Sequence, residues 1–186
     1  MDATSVEETP IGGLVLVRRE PYKDHRGSLD RIFDINVVHS LVPGFSVVQV
    51  NHTVTLGRGT VRGLHYQAAP FADAKVITCT RGKIFDVAVD VRQGSPTFMS
   101  WYSIELSGGD GISIVLPPGF AHGFQLLDES CELLYVHNER YCQEAEGALH
   151  VEDPLLGIVW PEAISAMSDR DRRHTMIEDD WPGVVI

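Results

Sequence analysis

Short apolar or alternating runs recur along the chain between turn signals, and this rhythm restricts the possible folds more than any other feature. The runs are GLVLVRR, SVVQVNH, KVITCT, IFDVAVDV, WYSIEL, ISIVL, GFQLL and ELLYVHN. The turn signals between them, rich in glycine and proline, are DHRG, TLGRG, RGK, RQGSP, SGGDG and PPG. Many short strands punctuated in this way indicate an antiparallel sandwich, jelly roll or barrel.

The rest of the chain fits this all-β pattern. In IFDVAVDV, alternation predicts that the odd-numbered residues from Phe85 to Val91 share one face and the even-numbered residues from Asp86 to Asp90 the other. Short helices are predicted around INVVHSLV and near PEAISAM. Because no linker, repeat or low-complexity segment interrupts the sequence, residues 1–186 are predicted to form one domain with short peripheral helices.

Charge and cysteine content narrow the class of protein. The formal net charge of −11 argues against nucleic acid as a partner, because binding to phosphates requires a basic face. We expect neither a membrane span nor a secretory signal, since there is no run of about 18 apolar residues and MDATSVEETPIGG lacks a basic-then-apolar order. The three cysteines have no CxxC spacing, which predicts reduced thiols and a cytoplasmic location.

The segment GISIVLPPGFAHGF predicts a strand over Ile112–Leu116, a proline turn, and His122 at the entry to the next strand. Its spacing resembles the second motif of cupins, small barrels made of a double-stranded β-helix. The first cupin motif normally contributes two histidines as HxH and a downstream glutamate to a metal, whereas this chain has GLHYQ, with His65, followed by Lys75. An ammonium in place of a metal ligand argues against a divalent ion, so we expect no metal.

Eight segments together resemble one enzyme family. They are QVNH, VRGLHYQ, AK, GKIFDVAVDVRQGSPTF, LPPGFAHGF, LLY, DPLLGIVWP and MSDRD. They occur in the order found in dTDP-4-dehydrorhamnose 3,5-epimerases, and the likeness extends from Gly12 to Asp171. The resemblance implies an all-β cupin jelly roll, a metal-independent isomerase of nucleotide-sugar biosynthesis, a nucleotide-diphosphate sugar as substrate, and a cytosolic homodimer.

The same resemblance implies four catalytic residues. The substrates of the family carry a ketone at C4, which makes the protons on C3 and C5 acidic because their loss gives an enolate. His65 matches the base that removes the proton, and Tyr135 matches the acid that protonates the opposite face. Lys75 matches the cation that stabilises the enolate oxygen, and Asp171 matches the carboxylate that orients the histidine.

Eight further positions match substrate-binding residues of the family. Gln49 and Asn51 are two apart on a predicted strand and are expected to share the face that lines the pocket. His122 is expected to hydrogen-bond the sugar, and Arg62 is expected to bind the diphosphate. The remaining four are expected to contact the nucleotide: Arg26, Tyr141, Glu146 and Arg170.

The chain departs from the family near its start. The usual DxRGFFxE is replaced by DHRGSLDR, so that Ser28 and Leu29 stand in place of two aromatic residues and Arg31 in place of a glutamate. Arg140 also precedes Tyr141 where a Tyr-Tyr pair is usual. A different base, such as CDP or GDP, an altered sugar, or a single-centre epimerase would each fit these changes, and the sequence does not choose among them.

Three other functions stay open from the residues. A metal-dependent cupin oxygenase would use His65 and His122, and metal analysis of the purified protein distinguishes it. A non-catalytic sugar-binding cupin would not require an acid and a base together. A ketoisomerase on the same scaffold would move the carbonyl between carbons, which the NMR spectrum of the product reveals.

Overall fold

Antiparallel strands account for most of the regular structure in residues 4–186, which the computed structural model describes. The strands are β1 (Thr4–Glu8), β2 (Val15–Arg19), β3 (Tyr22–Asp24), β4 (Gly27–Leu29), β5 (Gln49–Leu56), β6 (Val61–Gln67), β7 (Lys75–Arg81), β8 (Lys83–Asp90), β9 (Trp101–Ser107), β10 (Ile112–Leu116), β11 (Phe120–Leu126), β12 (Ser130–His137) and β13 (Glu146–Ala148). The helix α1 is Ile35–Leu41, and two short 3-10 helices are Gln143–Ala145 and Asp171–Arg173.

The strands form two facing sheets and a small hairpin. One sheet has six strands in the order β1-β2-β10-β7-β12-β5, and the other has five in the order β13-β6-β11-β8-β9. The strands β3 and β4 pair only with each other among the described residues. Neighbours within each sheet that are distant in sequence, such as β2 and β10, give the crossovers of a jelly roll. The prediction of an all-β jelly roll is confirmed.

The space between the two sheets holds the main core. Buried side chains reach it from both sides: Leu16, Ile77, Ile114 and Leu133 from the six-stranded sheet, and Ala88, Leu106 and Phe124 from the five-stranded sheet. Burial of each large apolar side chain contributes about 1.5–3 kcal/mol to folding. The alternation predicted for β8 is confirmed, because Val87 and Val89 pack on the outer face of their sheet while Ala88 faces the other sheet.

The first predicted helix is confirmed. It starts after Asp34, whose side chain caps it by accepting a hydrogen bond of 2.9 Å from the backbone N–H of Asn36. Val38 is its buried residue and packs with Val76 and Val136 on the outer face of the six-stranded sheet. No helix within residues 4–186 is long and apolar enough to cross a membrane.

The second predicted helix, near PEAISAM, is wrong. The backbone of this segment pairs with neighbouring elements instead of with itself: the N–H of Val61 donates to the carbonyl of Ala166, and the N–H of Ser165 donates to that of Gly59. The side chain of Gln125 also makes two hydrogen bonds of 2.9 Å with the backbone of Glu162. Tertiary pairing has therefore overridden a local preference for helix.

An irregularity in β6 shapes the wall beside the main cavity. His65 and Arg62 pair with His122 and Phe124 of β11, so one more residue lies between the partners on β6 than on β11. This is a β-bulge, a feature that re-aims side chains. Gly63 within it has φ of +114°, and a Cβ there would lie 2.5 Å from the Cα of Gly123. Only glycine permits this approach of β6 to β11.

Candidate active site

A cavity of about 720 Å³ opens between the two sheets, and its walls carry most of the predicted site. Side chains from β6 and β11 line one wall, and side chains from β5, β7 and β12 line the other. Of the twelve predicted site residues, all but Arg26 line the cavity: Gln49, Asn51, Arg62, His65, Lys75, His122, Tyr135, Tyr141, Glu146, Arg170 and Asp171.

His65 and Asp171 form a hydrogen-bonded pair. The Nε2 of His65 lies 2.8 Å from Oδ1 of Asp171, which stands at the start of the last 3-10 helix and is 3% exposed. Burial raises the pKa of Asp171, but hydrogen bonds from His65 and Ser168 outweigh burial and hold that pKa below its ordinary value. The carboxylate therefore stays ionised, and it sets the tautomer of the imidazole with the hydrogen on Nε2. The lone pair then lies on Nδ1.

His174 brings a second imidazole to the same carboxylate. Its Nε2 lies 3.7 Å from Oδ1 of Asp171, and the ligating atoms of His65, Asp171 and His174 lie within 4.8 Å of one another. Arg170, however, places Nη2 3.2 Å from Nε2 of His65 and Nε 3.7 Å from Oδ1 of Asp171. The positive charge of Arg170 would repel a divalent cation bound by His65, Asp171 and His174, so these residues fit a metal site poorly.

Tyr135 reaches the cavity from β12, in the sheet opposite His65. Leu133 and Tyr135 face inwards while Val136 packs on the outer face, as the alternation of strand side chains requires. The ring of Tyr135 lies edge-on to His122 at 5.9 Å and parallel to His137 at 6.1 Å. Burial, together with the negative charge of Asp86, raises the pKa of Tyr135, so the phenol keeps its proton at neutral pH.

Lys75 is the first residue of β7, which pairs with β12 in the six-stranded sheet. Its side chain shares a buried carboxylate with a histidine. Its Nζ donates a hydrogen bond of 2.8 Å to Oδ1 of Asp73, and Nδ1 of His137 lies 2.9 Å from Oδ2 of Asp73. Burial raises the pKa of Asp73, but His137 and the ammonium of Lys75 outweigh it and hold that pKa below its usual range. The ammonium therefore faces the cavity as half of an ion pair.

His122 also has a carboxylate behind it. Its Nε2 lies 2.8 Å from Oδ2 of Asp86, and both side chains are buried. Asp86, on β8, is the buried partner that orients the His122 ring. The sequence predicted only that Asp86 shares a face of β8 with Ala88 and Asp90, and it assigned Asp86 no role.

Asp73 and His137 are the other site residues that sequence reasoning missed. For His137 a signal was present, because it follows Tyr135 by two positions on one strand and so faces the same way. Asp73 precedes β7 in a stretch without regular structure, and only the pairing of β7 with β12, which sets His137 opposite Lys75, brings it into place.

The rim of the cavity carries a cluster of longer polar side chains. The hydroxyl of Tyr141 and Nη1 of Arg170 each donate a hydrogen bond of 2.9 Å to Oε2 of Glu146. Deeper in, Nε2 of Gln49 donates to Oδ1 of Asn51 at 3.1 Å, which agrees with the prediction that these two side chains share a face. Arg62 borders the same opening with an exposed side chain.

Arg26 lies outside the cavity. It occupies the turn between β3 and β4, where its guanidinium makes a 2.6 Å ion pair with Asp24 and its side chain is 77% exposed. Ser28 and Leu29, the residues that depart from the family pattern, lie on β4 and are exposed as well. Within one chain, therefore, the hairpin that was expected to contact the nucleotide does not reach the pocket.

Comparisons with known proteins identify the family to which the sequence is similar. The sequence model of the dTDP-4-dehydrorhamnose 3,5-epimerase family matches residues 8–179. A dTDP-4-dehydrorhamnose 3,5-epimerase from Sinorhizobium fredii strain NGR234 is 38% identical over 172 residues, which cover 92% of this chain and 88% of the relative.

Two solved structures show the same likeness at the level of the fold. The epimerase RmlC from Legionella pneumophila, in complex with dTDP-4-keto-L-rhamnose, has a TM-score of 0.88 at 33% identity and covers 94% of this chain and 93% of its own. ChmJ, a 3'-monoepimerase from Streptomyces bikiniensis in complex with dTDP-quinovose, has a TM-score of 0.84 at 33% identity, with coverages of 90% and 85%.

Proposed function

The chain belongs to the dTDP-4-dehydrorhamnose 3,5-epimerase family, and from that premise we propose that it is an isomerase that needs no cofactor. It inverts C3, C5 or both in a nucleotide-linked 4-keto-6-deoxyhexose. One observation carries the proposal: His65 and Tyr135 line a single cavity from opposite sheets. Inversion of a carbon requires a base on one face of the sugar and an acid on the other, and this placement supplies both.

The reaction proceeds in two proton transfers. Nδ1 of His65 takes the proton from the carbon next to the ketone, and the electron pair left behind moves into the carbonyl to form an enolate. The phenol of Tyr135 then donates its proton to the opposite face of that carbon, and the ketone is restored with inverted configuration. Because burial raises the pKa of Tyr135, the phenol is still protonated when the enolate forms and has a proton to donate.

The charge that develops on the C4 oxygen is met by Lys75. Its ammonium lines the cavity on the same sheet as Tyr135 and is 11% exposed, so that little water screens it. Asp171 supports the first step by fixing the tautomer of His65 and by stabilising the imidazolium after it has taken the proton. His122 orients the sugar by a hydrogen bond and is held by Asp86.

The nucleotide end of the substrate lies at the rim. We assign the diphosphate to Arg62, the nucleoside to the ring of Tyr141, and further nucleotide contacts to Glu146 and Arg170. Gln49 and Asn51 contact the sugar or the first phosphate from β5.

We also propose that the enzyme acts as a cytosolic homodimer, in which Arg26 contacts nucleotide bound by the partner subunit. An apolar row along β5, the last strand of its sheet, supports this: Val50, Val54 and Leu56 are 54%, 51% and 70% exposed. Exposed apolar edge strands favour pairing with another chain. Sedimentation equilibrium should give twice the chain mass of 20.6 kDa, and a value of one chain mass would rule the dimer out.

Exchange in D₂O tests the function. Incubation of the protein with dTDP-4-keto-6-deoxyglucose should introduce deuterium at C3 and C5, detected by mass spectrometry. Label at both carbons identifies a double epimerase, and label at one identifies a single-centre enzyme, as the structurally similar ChmJ is. Absence of label with dTDP-, CDP- and GDP-linked 4-keto sugars alike would end the proposal.

A further inference from the structure

His137 lies between the proposed acid, Tyr135, and Asp73, the carboxylate that binds the proposed oxyanion cation. On one side its ring lies parallel to that of Tyr135, with centroids 6.1 Å apart and planes 13° apart. On the other side Nδ1 lies 2.9 Å from Oδ2 of Asp73, whose second oxygen accepts the hydrogen bond from Lys75 at 2.8 Å. Register explains this meeting, because His137 on β12 stands directly opposite Lys75 on β7.

A line of hydrogen bonds also reaches His137 from the rim. The backbone N–H of Tyr141 donates to Oε1 of Gln49 at 3.2 Å, and Nε2 of Gln49 donates to Oδ1 of Asn51 at 3.1 Å. Nδ2 of Asn51 lies 3.5 Å from Nε2 of His137, a long hydrogen bond that is the weakest of the series. The ionised carboxylate of Asp73 accepts a hydrogen bond from Nδ1, so the neutral His137 carries its hydrogen on Nδ1 and leaves the lone pair of Nε2 for the amide of Asn51.

That tautomer determines what His137 does to Asp73. With hydrogen on Nδ1, the imidazole donates to Oδ2, and the carboxylate shares its charge between an imidazole and the ammonium of Lys75. Without this donor, the buried carboxylate would have Lys75 as its sole side-chain partner among the described residues, and the ion pair would tighten. A tighter pair leaves the ammonium less able to turn toward a negative oxygen on the substrate.

We propose that His137 is a positioning residue for the epimerisation, one that acts through Asp73 to hold the Lys75 ammonium toward the C4 oxygen. The inference rests on the proposed function. It assigns the hydrogen bond from Nδ1, and not the stacking of the ring on Tyr135, as the contribution of His137 to turnover. Binding of the nucleotide, which involves the rim, is unaffected.

Two substitutions separate the hydrogen bond from the stacking. His137→Phe keeps an aromatic ring beside Tyr135 and removes the donor, whereas His137→Asn places an amide nitrogen where Nδ1 stood and removes the ring. Loss of a hydrogen bond to a charged group should lower kcat of His137→Phe by about 10- to 30-fold, with KM within about 3-fold. The kcat of His137→Asn should stay within about 3-fold of the wild type, as the donor is retained.

A double-mutant cycle asks whether the effect passes through Asp73. In an Asp73→Asn background, His137→Phe should change kcat by less than about 2-fold, because the carboxylate that His137 serves is gone. If His137→Phe lowers kcat by the same factor in the wild type and in the Asp73→Asn variant, the effect does not pass through Asp73. Circular dichroism of each variant confirms that it is folded, and His137→Asn still tests the claim if His137→Phe does not fold.

The outcomes are distinct. If the wild type exchanges deuterium at C3 or C5 of dTDP-4-keto-6-deoxyglucose and His137→Phe has an unchanged kcat, the role of His137 is refuted. The proposed function is not affected by that result. A larger loss in His137→Asn than in His137→Phe would assign the effect to stacking and would also overturn it. No exchange by the wild type with any of the three nucleotides would remove the proposed function and this inference together. The ¹⁵N shifts of His137 should report the hydrogen on Nδ1 independently of turnover.

Discussion

The inner part of the pocket and its rim hold their polar side chains in different ways. In the inner part, a buried aspartate binds three of the side chains that are to act on the sugar. Asp171 holds His65, Asp86 holds His122, and Asp73 holds Lys75, with bonds of 2.8 Å in each case. All three aspartates are 5% exposed or less.

At the rim the side chains are long and open to solvent. Tyr141 is 52% exposed, and the side chain of Arg170 is 53% exposed although both bind the same oxygen of Glu146. The hairpin that carries Arg26 is farther out still. Glu146, which Tyr141 and Arg170 share, has a side chain that is 19% exposed, and Arg170 in addition lies 3.7 Å from the buried Asp171.

This difference separates catalysis from recognition. Groups held by buried charges are oriented before the substrate arrives, so they stabilise the transition state without rearrangement. Exposed side chains lose freedom when they bind, and part of their contribution is spent on that loss. Substitutions in the inner pocket should therefore lower kcat, and substitutions at the rim should raise KM.

The largest effect is expected at the base. His65→Ala should lower kcat by at least roughly 10²-fold, because general acid–base catalysis typically supplies that factor or more. Steady-state epimerisation of the dTDP-linked 4-keto sugar measures it, and circular dichroism confirms the fold. Near-normal turnover would show that the inner pocket is not the catalytic part. The distinction between a catalytic inner pocket and a substrate-binding rim would then be wrong.

A smaller loss is expected behind the base. Asp171→Asn keeps the size of the side chain but removes the charge that fixes the tautomer of His65, so kcat should fall by about 10- to 100-fold. The KM should change little, since Asp171 is 3% exposed and meets the substrate only through His65. A change in KM alone would place Asp171 with the rim.

At the rim, Arg170→Gln should raise KM by about 10-fold, as a hydrogen bond from a charged group is lost, while kcat stays within about 3-fold. Initial rates over a range of substrate concentrations separate the two constants. Arg170 also lies 3.2 Å from His65, so this variant tests the boundary between the two regions. A fall in kcat as large as that of Asp171→Asn would move Arg170 into the inner set.

The smallest effect is expected on the hairpin. Arg26→Ala should raise KM by about 3-fold through the partner subunit's nucleotide, in line with the modest contribution of an exposed charge. Lys23→Ala on the same hairpin is the matched control and should leave KM unchanged. Equal values for the two variants would mean that the hairpin does not contact nucleotide.

The sequence predicted the inner pocket well for a physical reason. Side chains on a strand alternate between two faces, so residues two apart share a face, as Gln49 and Asn51 do. Alternation does not say which strand lies alongside. The meeting of Asp73 with His137 depends on the pairing of β7 with β12, and sequence reasoning missed it for that reason.

Other parts of the prediction depended on tertiary context in the same way. PEAISAM has residues that suit a helix, yet its backbone hydrogen bonds go to Gly59 and Val61. Arg26 matches a nucleotide-contacting position. A sequence motif does not show whether its residues contact nucleotide bound by the same chain or by another chain. The exposed position of Arg26 outside the cavity is the reason for the proposal that it contacts nucleotide bound by a second subunit.

The central claim is that one carbon is deprotonated from the side of His65 and reprotonated from the side of Tyr135, and Tyr135→Phe in D₂O tests it most directly. His65 retains a solvent-accessible path, with 29% of its side chain exposed, so it can return a deuteron to the face from which it took the proton. The variant should therefore incorporate deuterium with retained configuration faster than it forms epimer. Loss of exchange and of inversion in equal proportion would contradict the assignment of acid and base to opposite walls.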